Sequence, residues 1–284
     1  MSIQYVAVIG AGTMGSGIAQ VCATAGLQVT MVDISESALN RGVATIGKNL
    51  ERLVQKQRLS EAQRNQALGR VRIATSYSEL GQVQFVVEAA TENLELKLRI
   101  LRDLESVIAP DAIIATNTSS ISITQLAAVL QRPDRCIGTH FFNPVPVMAL
   151  LEIIRGLRTS DDTHAAAIGF ARAIQKTPIT VLNSPGFVVN RVLCPMLNEA
   201  IFVLQEGLAS AEEIDAGMKL GCNHPIGPLE LCDLIGLDTL LAVMRVFHDG
   251  FGDPKYRPAR LLREMVDAGR LGRKSGRGFY DYAT

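Results

Sequence analysis

The first 33 residues constrain this chain more tightly than any other segment. Tyr5-Val6-Ala7-Val8-Ile9 is a short apolar run that stops at a glycine, which reads as a buried strand. Gly10-Ala11-Gly12-Thr13-Met14-Gly15 follows at once, and Thr13 to Ala25 reads as a helix closed by Gly26. Val29-Thr30-Met31-Val32 is a second strand, ending at Asp33. Strand, glycine turn, helix and strand make one βαβ unit of a parallel sheet. A lone GxGxxG says little, but between a strand and a helix it meets the physical requirement for holding a pyrophosphate. Gly10 permits the turn, Gly12 admits the pyrophosphate to the backbone, and Gly15 lets helix and strand approach. Ala11, Thr13 and Met14 complete the turn, where the helix start offers free N–H groups and a positive dipole end. Asp33, 18 residues beyond Gly15, is placed to accept hydrogen bonds from the adenosine ribose and to repel a 2′-phosphate. NAD is therefore expected rather than NADP. The bland alternative for Asp33 is a turn or helix cap.

From Glu36 to about Gly69 the chain is charged and helical, with Ile46, Leu50, Leu53 and Val54 at helical spacing. That is long for a crossover, so it reads as a helical hairpin projecting from the sheet. Its basic residues, Lys48, Arg52, Lys56 and Arg58, read first as a solvated face. Strands then recur at Val71–Ile73, Phe85–Ala89, Ala112–Thr116, around Ile137–Gly138, and at Leu151–Ile154 and Pro178–Val181. Helices fall between them at Asn93–Val107, Ile123–Leu130 and Asp162–Gln175. The alternation predicts a doubly wound, Rossmann-type α/β domain over 1–183. At Asn183-Ser184-Pro185-Gly186 the pattern changes, and Phe187–Gln205, Ala211–Leu220, Leu229–Phe247 and Arg260–Ala268 all read as helices. An all-α domain is expected over 184–284, in keeping with a chain longer than a usual single domain.

The 28 basic and 28 acidic residues balance, so nothing in the overall charge attracts nucleic acid or an anionic membrane. No apolar run is long enough to span a bilayer. The five cysteines, Cys22, Cys136, Cys194, Cys222 and Cys232, are scattered without metal-ligand spacing, which fits reduced thiols in a cytoplasmic protein. The N-terminus enters a strand directly, without the features of a signal peptide. No metal site is expected.

Thr139-His140-Phe141-Phe142-Asn143-Pro144-Val145-Pro146-Val147-Met148 places a histidine in an apolar run and then bends at two prolines; Leu151-Glu152-Ile153-Ile154 buries one carboxylate. Burying an imidazole and a carboxylate is costly unless they pair. Paired, the carboxylate fixes the imidazole tautomer and steadies its cationic form, which suits a group that takes and returns a proton. From these residues alone, a structural ion pair and a proton relay are both open.

Across its whole length the chain resembles the 3-hydroxyacyl-CoA dehydrogenases, in particular the short 3-hydroxybutyryl-CoA dehydrogenases. The resemblance rests on GAGTMG (10–15), VVEAATENLELK (86–97), ATNTSS (115–120), GTHFFNPVPVM (138–148) and LLEII (150–154). It continues through SPGFVVNR (184–191), GPLELCDLIGLD (227–238) and GRKSGRGFYDY (272–282). It implies a His140–Glu152 catalytic dyad, with Ser119 and Asn190 hydrogen-bonding the substrate near its reacting oxygen. It implies that Glu92, Lys97, Ser119, Asn143 and Lys274 surround NAD (NADH), and that Lys56 contacts coenzyme A; Asn49 stands where some members use serine. The expected substrates are acetoacetyl-CoA and 3-hydroxybutyryl-CoA, and the expected assembly is a homodimer through the C-terminal domain. Each residue also has a plainer reading. Ser119 would be a capping group in a strand-to-helix turn, Asn190 a helix-surface amide, Lys97 part of an intrahelical pair, and Lys274 a solvated lysine. A dehydrogenase of a free 3-hydroxy acid and a non-catalytic NAD-binding protein of the same fold are the competing functions.

Overall fold

The computed structural model describes residues 3–282, and the chain divides into two compact units, Met1–Ser184 and Pro185–Thr284. The first is built on one eight-stranded sheet. Strands β1 (Tyr5–Ile9), β2 (Gln28–Val32), β3 (Val71–Ala74), β4 (Phe85–Glu88), β5 (Ile113–Thr116), β6 (Cys136–Phe141), β7 (Leu150–Arg155) and β8 (Thr177–Leu182) lie in the order β3-β2-β1-β4-β5-β6-β7-β8. The order reverses between β1 and β4, the switch point at which open α/β sheets bind ligands. Helices α1 (Thr13–Thr24), α2 (Glu36–Gln55), α3 (Glu61–Gly69), α4 (Leu94–Glu105), α5 (Ile123–Ala127) and α6 (Asp161–Ala173) connect the strands. With helices covering it, β4 and β5 are buried along their whole length, which is why they read as unbroken apolar runs rather than alternating ones. Phe85 stacks on Phe170 of α6, ring centroids 4.3 Å apart, within a core that includes Val8, Ile18 and Met31.

In this unit two details depart from the sequence reading. The hairpin α2–α3 packs back onto α1, sinking Leu39, Ile46, Leu50 and Ala67 into the main core instead of projecting from it. The strands after β6 also reverse: β6 and β7 are antiparallel, while β7 and β8 are parallel to each other. Only residues 142–149 separate β6 from β7, too few for the dozen or more that a parallel crossover needs.

The second unit contains α7 (Val189–Gln205), α8 (Ala211–Cys222), α9 (Pro228–Ile235), α10 (Leu237–Phe251) and α11 (Arg260–Asp267) around Leu197, Leu229, Leu240, Met244 and Phe247. The stretch 229–247, expected as one helix, is two. Gly236 adopts φ +100° between α9 and α10, and a Cβ there would come within 2.9 Å of Lys274 Nζ. Two buried carboxylates tie this unit together. Asp215 accepts from the Leu229 and Glu230 amides and the Tyr280 hydroxyl; Asp233 accepts from the Phe279 and Tyr280 amides and the Tyr282 hydroxyl.

Candidate active site

The glycine turn sits where β1 ends at the switch point. Gly10 has φ +101°, and a Cβ on it would lie 2.7 Å from the Ala89 carbonyl oxygen, so only glycine fits. A Cβ on Gly15 would meet the Gly10 carbonyl at 1.8 Å, so this glycine packs helix against turn. A Cβ on Gly12 would meet nothing within 4 Å, which leaves the backbone at the start of α1 open to a ligand. Among the described residues, α1 is the one α-helix of the first unit that begins without a side-chain cap; Ser35, Ser60, Asn93, Ser122 and Ser160 cap the other five. A cavity of about 370 Å³ opens beside this end, lined in part by Ala11, Gly12, Thr13, Asn49 and Asn143.

Asp33 accepts from the Ala11 amide (2.9 Å) and the Ser35 amide (2.9 Å). It is thus a turn cap that ties the glycine turn to the end of β2, and the same carboxylate stands where a ribose would be met. The open glycine, the uncapped helix start and this carboxylate fit a dinucleotide: α1 would hold the pyrophosphate and Asp33 the adenosine ribose.

His140, near the end of β6, lies directly opposite Glu152 of β7 in the antiparallel register. Residues paired in this way point to the same face of the sheet, and His140 Nδ1 is 2.6 Å from Glu152 Oε2. Both are buried, at 5% and 0% exposure, so the contact is a close charge-assisted hydrogen bond shielded from water. The Phe142 ring leans on the imidazole at 4.5 Å. The Asn117 side chain accepts from the Phe141 amide at 2.9 Å, joining the loop after β5 to the end of β6. That role for Asn117 was not foreseen, although it sits inside the ATNTSS run.

Glu92 gathers the same loop: one oxygen accepts from Thr118 Oγ1 (2.6 Å), the Ser119 amide (2.9 Å) and Ser120 Oγ (3.3 Å). Lys97 is entirely buried, and its ammonium lies 2.5 Å from Glu88 Oε2 and 3.9 Å from Glu92 Oε2. Its charge is committed inside the fold rather than presented to a ligand, and its partner lies in β4 rather than within its own helix. Glu88 was missed; the signal was an acid closing the otherwise apolar strand Phe85-Val86-Val87. Asn49 donates its amide to Gln20 (3.1 Å), and Lys56 is exposed where α2 ends. In the second unit, Asn190 is half-buried in the first turn of α7. Lys274, about half exposed, forms an ion pair with Asp238 at 2.5 Å.

Among the described residues no cluster of His, Cys, Asp and Glu is placed to hold a metal ion, and no helix is long and apolar enough to cross a membrane.

Sheet order, glycine turn and the acid after β2 define a dinucleotide-binding protein of the Rossmann class. The family models described as 3-hydroxyacyl-CoA dehydrogenase, NAD binding domain, and 3-hydroxyacyl-CoA dehydrogenase, C-terminal domain, match residues 5–184 and 186–282. The chain belongs to the 3-hydroxyacyl-CoA dehydrogenase family, NAD-dependent oxidoreductases, as the resemblance implied. It is 51% identical over 280 residues to a 3-hydroxybutyryl-CoA dehydrogenase of Bradyrhizobium diazoefficiens, covering 99% of this chain and 96% of that protein. Among solved structures it is similar to (S)-3-hydroxybutyryl-CoA dehydrogenase PaaH1 from Ralstonia eutropha, at 62% identity and a TM-score of 0.98, with both chains fully covered. It is also similar to FadB2 of Mycobacterium tuberculosis, at 44% identity and a TM-score of 0.96, again over the whole of both chains.

Proposed function

We propose that this protein interconverts (S)-3-hydroxybutyryl-CoA and acetoacetyl-CoA, with His140 and Glu152 as its proton-transfer pair. The observation that carries the reading is the 2.6 Å contact between His140 Nδ1 and Glu152 Oε2 in a water-shielded setting. With Nδ1 committed to Glu152, Nε2 is the ring nitrogen that removes the 3-hydroxyl proton in oxidation and returns it in reduction. Glu152 holds the ring orientation and offsets the positive charge that the imidazole gains, as the acid of a hydrolase triad does. NAD, when bound, takes up or gives back the hydride at substrate C3. Ser119 hydrogen-bonds the 3-oxygen and so orients the hydroxyl toward His140. Asn143 and Glu92 border the nicotinamide half of the cofactor and Asp33 the adenosine half, the latter favouring NAD over NADP. Lys97 serves this site through the acids it holds, Glu88 and Glu92. Asn49 and Lys56 meet the coenzyme A moiety.

The protein works as a cytoplasmic homodimer through its C-terminal unit. Support comes from Leu208, Leu220 and Val192, apolar side chains left 76%, 87% and 69% exposed in that unit, and from five free cysteines, four of them buried. Light scattering at micromolar concentration checks the assembly, and a monomer overturns it.

The activity is tested by steady-state rates with NADH and NADPH against 3-ketoacyl-CoA esters of increasing length, with free acetoacetate alongside. The expected result is preference for NADH and for acetoacetyl-CoA over free acetoacetate. Equal turnover of the free acid overturns the coenzyme A assignment.

A further inference from the structure

The loop of residues 142–149, which joins the two strands of the His140–Glu152 pair, carries two prolines and therefore lacks two backbone donors. Its internal hydrogen bonds converge on one acceptor: the Val147 and Met148 amides both donate to the Pro144 carbonyl. The Val145 and Met148 carbonyls turn inward and need a donor from elsewhere. That donor is Lys176, in the segment between α6 and β8, whose ammonium lies 2.5 Å from the Val145 oxygen and 2.7 Å from the Met148 oxygen. Its side chain is almost wholly enclosed, at 8% exposure.

A buried ammonium normally sits against a carboxylate. Among the described residues none pairs with Lys176. The ionisable neighbour is the Cys22 thiol, which burial pushes up to about 12 and so keeps neutral. Burial also holds the lysine below its usual range. Two carbonyl dipoles therefore hold this cation, and a group kept at that cost in the core marks a constraint on the loop.

The loop meets the site on two sides. Val145 is buried against α1 so closely that a Cβ on Gly17 would lie 2.9 Å from its own Cβ. Asn143 lines the cavity beside Gly12 and Thr13. The loop begins two residues after His140 and ends three residues before Glu152.

We propose that Lys176 is a positioning residue: by binding the Val145 and Met148 carbonyls it fixes the loop that sets Asn143 against the dinucleotide turn and holds His140 in line for proton transfer. This inference rests on the dehydrogenase reading above. The test is Lys176→Met in the full chain, which keeps the length of the side chain and removes its donors. NADH affinity by fluorescence titration, kcat, the KM for acetoacetyl-CoA and the melting temperature are compared with wild type. The expected result is a folded protein with kcat down about tenfold or more, since small misplacement of reacting groups is costly. NADH affinity falls several-fold, the KM for acetoacetyl-CoA stays near wild type, and Lys176→Arg recovers part of both losses. Should Lys176→Met not fold, Lys176→Gln, which keeps one donor group, is read in the same way. Wild-type kcat and NADH affinity in the folded variant, whatever its melting temperature, overturn the proposal. If the wild-type protein does not reduce acetoacetyl-CoA, the dehydrogenase reading fails, while the NADH titration still decides whether Lys176 shapes the cofactor site.

Discussion

Glutamate 152 is completely buried and spends one carboxylate oxygen on the His140 ring at 2.6 Å, so its substitution separates orientation from packing. Glu152→Gln preserves shape and a hydrogen-bonding group but withdraws the negative charge that offsets the imidazolium. We expect kcat to fall on the order of 10²- to 10⁴-fold, the range of general acid–base assistance, with NADH affinity near wild type. Near-normal turnover would refute the paired role. His140→Gln should abolish turnover and likewise leave NADH titration unchanged; lost cofactor binding in that variant would instead make His140 structural. At this scale the sequence was legible where chemistry is costly. A histidine and an acid in apolar runs announce themselves because burial demands a partner. Asn117 and Lys176 were not legible, because an amide capping a neighbouring strand or a lysine bonding two carbonyls depends on long-range contacts that no local pattern records.

Among the secondary-structure elements, the periodic ones were readable and the interruptions were not. Strands β1, β4 and β5 stand out as apolar runs, and α2 as a stripe of Ile46, Leu50 and Leu53, because burial imposes those patterns directly. The reversal at β7 was readable from the short 142–149 connection, yet alternation of strand and helix masked it. The break at Gly236 was hidden because the apolar spacing continues through it from Leu229 to Phe247. Its φ of +100° and the nearby Lys274 make a side chain there strained whatever its hydrophobicity. Gly236→Ala should therefore lower stability by about 1–3 kcal/mol in chemical denaturation. Gly217, exposed within α8 with open space around its Cα, supplies the opposite sign. Gly217→Ala should raise stability by roughly 0.5–1 kcal/mol. Equal effects from the two substitutions would show that helix propensity, and not the Gly236 backbone, governs this region.

Taken whole, the molecule is electrically neutral, with 28 basic and 28 acidic residues, yet coenzyme A carries several negative charges. Attraction must then come from local asymmetry. Residues 36–69 hold six basic and three acidic side chains, and Glu51 and Glu61 both lie against Arg64. Arg41, Lys48, Arg52, Lys56 and Arg58 remain exposed, and none takes part in an ion pair among the described residues. A field from such exposed cations is screened over about 8 Å at physiological ionic strength, so its effect must depend on salt. Lys56→Ala should raise the KM for acetoacetyl-CoA several-fold at low salt, leave the KM for NADH within error, and flatten the rise of acetoacetyl-CoA KM with added salt. Free acetoacetate, which lacks the phosphates, should show no such salt slope in either protein. A KM change confined to NADH would move Lys56 from the acyl-CoA side of the site to the cofactor side. An unchanged salt slope would mean that the basic face of α2 is merely solvated.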